Sequence, residues 1–110
     1  KVDVGLNFPP TAAPVDTPLY AAIERAVKAL HPGAGPGQVG AGVTQSVSAG
    51  FTDSHFFREK GIVSYGFGVF ALRESETGRA HGNDERIAVA AFTDGVRLTY
   101  EVVSNFAAAK

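Results

Sequence analysis

The hydrophobic pattern changes period several times along the chain. Residues 2 to 8, VDVGLNF, place Val2, Val4, Leu6 and Phe8 on one face by strict alternation, the period of a half-buried strand. The Pro9-Pro10 pair ends that segment, and a connector leads to Asp16 or Thr17 followed by Pro18, an oxygen cap with a proline in the first turn. Leu19, Ile23, Val27 and Leu30 then recur at spacings of four, four and three, which predicts an amphipathic helix over residues 18 to 30. His31, Pro32 and Gly33 terminate it. The segment GAGPGQVGAG, residues 33 to 42, reads as flexible, and the VTQSVSA that follows alternates like a weakly apolar strand, with Gly50 as its exit turn.

The second half is more apolar. A short helix is expected over Thr52 to Lys60, with Thr52 or Asp53 at its start and Gly61 just past its end, where a left-handed residue belongs. Residues 62 to 70, IVSYGFGVF, form a continuous run of β-branched and aromatic residues, which predicts a core strand covered on both faces. Residues 73 to 84 are polar and read as a loop. Phe92, Val96, Tyr100 and Val103, joined by Leu98 and Val102, repeat at three and four residues and predict a closing helix from about 89 to 106. Strand, helix, strand, helix, strand, helix in that order argues an α/β fold with a mostly parallel sheet.

Composition narrows the partners. With 110 residues and 45% hydrophobic content, the chain suffices for one modest core. Ten basic and eleven acidic side chains give a formal charge of -1, so no overall field draws it to nucleic acid or to an anionic membrane. Its apolar stretches fall short of the roughly 18 residues of a membrane span. Neither nucleic acid nor membrane is an expected partner. Cysteine is absent, so a metal here would be held by His, Asp or Glu. Lys1 opens a chain without any Met, and a longer parent polypeptide is expected.

Candidate chemistry concentrates in RAHGNDERI, residues 79 to 87, which carries His81, Asn83, Asp84, Glu85 and Arg86 between the predicted core strand and the last helix. In open α/β sheets sites form at such places. A neutral imidazole ligates zinc well, and its second ring nitrogen needs an acceptor, for which Asp84 or Glu85 is available. Spacing alone favours a surface histidine in a polar loop. A second grouping, GFTDSHFFR over residues 50 to 58, places Thr52 and Asp53 at a helix start, where capping accounts for both; such a turn also directs backbone N–H groups at an anion. Gly35, Gly37 and Gly40 spell G-x-G-x-x-G, but they follow a helix and enclose Pro36, the wrong context for a dinucleotide fingerprint. No G-x-S-x-G supports a serine nucleophile.

GFTDSHFFREKGIVSYGFGVF, followed by HGNDERIAV and a closing helix, resembles the C-terminal part of the two-zinc peptidases that include aminoacylase, carboxypeptidase G, peptidase T-like enzymes and succinyl-diaminopimelate desuccinylase. That family has a Thr-Asp-x-Arg turn, a strand ending in Gly-Phe and a His-x-x-x-Glu segment in this order, and the likeness covers roughly residues 2 to 104. The resemblance implies the return half of a three-layer catalytic domain, with residues 1 to 10 as the last strand of a lid or dimerisation domain plus linker and residues 11 to 110 as the C-terminal part of the catalytic domain. It implies two zinc ions per complete site, with His81 as the one ligand supplied here and Glu85 as its supporting acid. Thr52, Asp53 and Gly82 would then lie near the substrate pocket. The family's arginine after Thr-Asp-x is His55 here, a departure that leaves Arg58, further along the same helix, to take a similar role.

The general-base Glu and the other zinc ligands, a His-x-Asp pair, a bridging acid and another acid, would lie upstream. The resemblance therefore implies part of a carboxypeptidase, dipeptidase or aminoacylase type of enzyme. The whole enzyme would cleave an amide in a short peptide or N-acyl amino acid, whereas this part would be inactive alone and would be partnered by the N-terminal catalytic segment of the same protein and by a second copy through the lid. The competing expectation is a non-catalytic α/β binding or assembly module.

Overall fold

The computed structural model describes residues 5, 7–36, 38–48 and 50–108. The chain divides into two compact units, residues 1–15 with 46–66, and residues 16–45 with 67–110. Among the described residues four helices form: α1 (Pro18–Leu30), α2 (Ser54–Glu59), α3 (Glu74–Thr77) and α4 (Val89–Ala108). Among the described residues there is no strand.

The larger unit holds α1, α3 and α4. The signals that delimit α1 are local, and it begins and ends where they fall. Thr17 Oγ1 accepts the Tyr20 N–H at 3.1 Å, Pro18 occupies the first turn and the His31 N–H closes on the Val27 carbonyl at 2.9 Å. Pro32 has no N–H with which to continue. Ala22, Ile23, Ala26 and Val27 are buried on one face of α1 and meet Leu98 and Val102 of α4. Fully burying a side chain such as Ile23 or Leu98 stabilises by about 2 kcal/mol, while the two alanines and Gly95 keep the surfaces between the elements shallow.

Gly95 is buried on α4 for a steric reason. A Cβ built there would lie 2.3 Å from Phe70 Cδ1 and 2.9 Å from the Val69 carbonyl oxygen, so the Phe70 ring occupies the space a side chain would need. Phe70 also stacks on Phe92, with ring centroids 5.9 Å apart. Residues 33 to 42 are similarly less free than their composition suggests. The Ala41 N–H returns to the His31 carbonyl at 2.9 Å, and Gly33 approaches Gln38 so closely that a Cβ would sit 2.0 Å from its carbonyl oxygen.

The smaller unit is built around α2. The Gly61 and Ile62 N–H groups return to the carbonyls of Arg58 and Phe57 with Gly61 at φ 73, the Schellman arrangement anticipated for that glycine. Phe8, Phe51 and Phe56 surround His55, with ring centroids 5.4 to 5.8 Å from the imidazole. His55 and Ser54 are the buried residues of α2. Ser54 is satisfied by the Ser64 hydroxyl at 2.9 Å, and Tyr65 donates to the Pro14 carbonyl.

The expected α/β three-layer fold with a mostly parallel sheet is overturned, because the described residues are helical and unladdered. The run 62–70 is irregular, with Ile62 and Phe70 exposed, and its first residues belong to one unit and its last to the other. Residues 43–48 are irregular too, and Val47 is fully exposed. Of the first predicted strand, residues 2–4 and 6 lie outside the described residues, and Asn7 and Phe8 are not in a strand. An apolar or alternating run specifies a face, whereas a strand exists only through hydrogen bonds to a neighbour. The polar stretch 73–84 also holds one unforeseen helical turn, α3, at whose start Glu76 accepts the Arg73 N–H at 2.9 Å.

Gly95→Ala adds intrinsic helix stability of about 1 kcal/mol but forces Phe70 and the Val69 carbonyl aside, which in a packed interior costs about 1–3 kcal/mol. The expected result is a lower urea midpoint at unchanged slope; a raised midpoint would remove the close approach as an explanation of Gly95.

Candidate functional site

The loop between α3 and α4 is wired by its own side chains. Successive turns close through Arg79 N–H to Glu76 carbonyl, Gly82 N–H to Arg79 carbonyl and Glu85 N–H to Gly82 carbonyl. His81 follows from this winding: it sits at φ 64, the one non-glycine positive φ among the described residues. A left-handed conformation costs an L-residue roughly 1–2 kcal/mol, and histidine is among the residues that tolerate it. The Glu85 carboxylate accepts the His81 N–H at 3.2 Å. Asp84 accepts from Arg79 and, at 3.1 Å, from Arg86, while Arg79 Nε donates to the Ser75 carbonyl at 3.0 Å.

The His81 ring is exposed and makes no hydrogen bond to a described residue. Glu85 thus supports the backbone of His81 rather than its imidazole, and Asp84 is engaged with two arginines. Ligation of a metal at either ring nitrogen would break no contact seen here. The donor set is one residue deep: among the described residues no three His, Cys, Asp or Glu side chains are placed to share a metal ion.

The other predicted site residues lie in the smaller unit, on α2 and the turn before it. Thr52 Oγ1 accepts the Ser54 N–H at 3.4 Å. Asp53 occupies the cap position in a helical conformation without a side-chain capping bond. Arg58 Nε donates to the Ser54 carbonyl at 3.1 Å. His55, which replaces the arginine of the resemblance, is 6% exposed with Nε2 3.2 Å from Glu59 Oε1; its ring is a packing element of the aromatic cluster. The structure therefore groups the predicted residues as His81, Gly82 and Glu85 in one loop, and Thr52, Asp53 and Arg58 in another unit.

Two features escaped the sequence reading. The left-handed backbone of His81 had a weak signal, a Gly-Asn-Asp turn cluster directly after it. His31 Nε2, at the C-terminus of α1, lies 3.3 Å from Asp94 Oδ2 on α4, a pairing across 63 positions that no local pattern announces. An open cavity of about 630 Å³ beside the first turns of α4 is lined by Arg73, Thr93, Asp94, Arg97 and alanines; His81 is not part of it.

Comparison with known proteins adds one match. The sequence model of the family described as "Peptidase family M20/M25/M40" matches residues 1–105. Neither the curated proteins nor the solved structures yielded a match.

His81→Gly tests the strain directly. Glycine populates positive φ freely, so the variant should gain about 1 kcal/mol in denaturant unfolding, whereas His81→Ala keeps the penalty and gains nothing. Equal stability of the two variants would show that the turn is not strained.

Proposed function

Since this chain belongs to peptidase family M20/M25/M40, we propose that it supplies the C-terminal part of a zinc-dependent catalytic domain, over residues 11 to 110, with residues 1 to 10 leading out of a lid. The parent enzyme hydrolyses the amide of a short peptide or N-acyl amino acid, in the manner of a carboxypeptidase, dipeptidase or aminoacylase. Support comes first from the family match over nearly the whole chain, and second from an exposed, unengaged imidazole held on a strained turn, since such strain persists where surrounding structure imposes it and gathers at functional sites.

In this proposal His81 offers a neutral imidazole as one ligand of a two-zinc site. When bound, the metals lower the pKa of a water and polarise the scissile carbonyl. Glu85 holds the His81 backbone, Gly82 keeps the following turn narrow, and Thr52, Asp53 and Arg58 keep the substrate role that the family resemblance gives them. The remaining ligands and the general-base Glu come from the N-terminal catalytic segment, which makes the chain inactive alone.

The surface of α4 favours such a partner. Phe92, Val96, Tyr100 and Val103 are 49% to 70% exposed, and at 100° per residue they share one arc of the helix. The buried Gly95, Leu98 and Val102 lie on the neighbouring arc, so charged residues are confined to the rest of the circumference. A helix apolar over more than half its surface is characteristic of an element covered on two sides, and one side is already filled by α1.

In the whole enzyme, His81→Ala should lower zinc affinity by more than the roughly 10- to 100-fold that follows loss of a ligand's hydrogen-bond partner, and turnover of an N-acyl amino acid or dipeptide with it. Full zinc stoichiometry and unchanged turnover would remove His81 from the site. Val96→Asp with Val103→Asp, both on the exposed arc, should abolish co-purification with a separately expressed N-terminal catalytic segment while the helix content of this chain, read by circular dichroism, stays the same; undiminished co-purification would place the contact elsewhere.

A further inference from the structure

We infer that Asp84 is a positioning residue for His81: its carboxylate closes the 79–86 loop as an ionic clasp and so keeps the histidine in the one backbone conformation from which it ligates. The inference rests on the proposed ligand role of His81. It starts from the φ of 64 at that residue, a conformation that relaxes unless neighbouring contacts fix it. The Glu85 carboxylate acts on the histidine itself, and the Gly82 N–H to Arg79 carbonyl bond closes the turn that contains it. Asp84 acts on the ends of the loop, since Arg79 precedes His81, Arg86 follows it, and both reach the same oxygen, Oδ2. Arg79 is further tied to α3 through the Ser75 carbonyl, and Arg86 leads within a few residues into α4. The clasp therefore connects the segment entering the loop with the segment leaving it.

Exposed ion pairs taken singly contribute little. Here one carboxylate is shared by two guanidiniums across a short closed segment, and what it fixes is a geometry, for which small losses are felt in metal affinity. Loss of an outer contact to a ligand typically costs 10- to 100-fold in metal affinity. Because the clasp is 36% to 70% exposed, its contribution should also be screened by salt.

The experiment measures zinc dissociation constants of the whole enzyme by competition with a chromophoric chelator, at low and high salt, for wild type, Asp84→Asn, Asp84→Glu, Arg86→Gln and His81→Ala, with thermal melting of each in parallel. Expected are a loss of about tenfold for Asp84→Asn at low salt, partial recovery in Asp84→Glu, a loss in the same direction for Arg86→Gln, a salt dependence present in wild type and absent in Asp84→Asn, and melting temperatures that do not follow the affinities. If Asp84→Asn does not fold, Arg86→Gln decides: reduced affinity in a folded protein supports the clasp and wild-type affinity overturns it. Wild-type affinity in Asp84→Asn, with zinc lost from His81→Ala, overturns the clasp and leaves His81 a ligand. Wild-type affinity in His81→Ala overturns both.

Discussion

The larger unit depends on two close packings, of α1 on α4 and of Phe70 on α4, and small residues permit both. Ala22 and Ala26 stand one turn apart on the buried face of α1, and Gly95 stands on α4 where a Cβ would run into Phe70 and the Val69 carbonyl. With alanines at two positions of the α1 face, Ile23, Val27, Leu98 and Val102 are buried between the elements of this unit, as dense interior packing requires. Phe70 then fills the hollow at Gly95, so the second segment of the larger unit, which begins at Phe67, is pinned to α4 within its first few residues. The His31–Asp94 contact fastens the other end of α1 to the same helix. Everything between residues 71 and 88 is suspended between Phe70 and the start of α4, both of which this packing fixes.

That suspension explains why a polar, exposed loop is nonetheless ordered by so many internal contacts. Its residues bury almost nothing, and so the hydrophobic effect cannot choose among its conformations. Hydrogen bonds and charges do so instead: one turn of helix at α3, a chain of turn bonds through Arg79, Gly82 and Glu85, and carboxylates bonded to backbone and to guanidinium. The strained residue falls at His81, the residue for which the chemistry was proposed from an independent direction, the order of motifs along the sequence. Local stability and chemical availability are separated in this loop, because the groups that hold it do not include the exposed imidazole of His81.

What could be foreseen from the sequence divides along a physical line. Thr17, Pro18 and Pro32 act on bonds within one helical turn, so the limits of α1 were legible to the residue, and Gly61 was legible as the end of α2 for the same reason. α4 was legible as a helix, but its period alone did not say which of two apolar arcs turns inward. The expected sheet is the reading that failed. Alternation in 2–8 and 43–49 and the unbroken run 62–70 report on side-chain polarity, while pairing depends on partners that the pattern does not name, and the described residues supply none. In the 79–86 loop, motif order nominated His81, Glu85 and Gly82, and the structure places the three within one turn of each other. The positive φ and the sharing of Asp84 by two arginines follow from the path of the backbone in three dimensions. The burial of His55 under Phe8, Phe51 and Phe56 was hidden likewise, because Phe8 is distant in sequence.

The two apolar arcs of α4 raise a problem of orientation. A rotation of about 100° about its own axis, the angle of a single residue, would bring Val96 and Val103 to the azimuths that Gly95 and Val102 now hold, so valines would still face inward. Oiliness therefore cannot tell this helix which way to face. The missing side chain at position 95 can, because only one rotation presents a notch to the ring of Phe70. In a helix with two adjoining apolar arcs, the information that chooses between them resides in an absence: one hydrogen atom where nearly every other residue would carry a carbon.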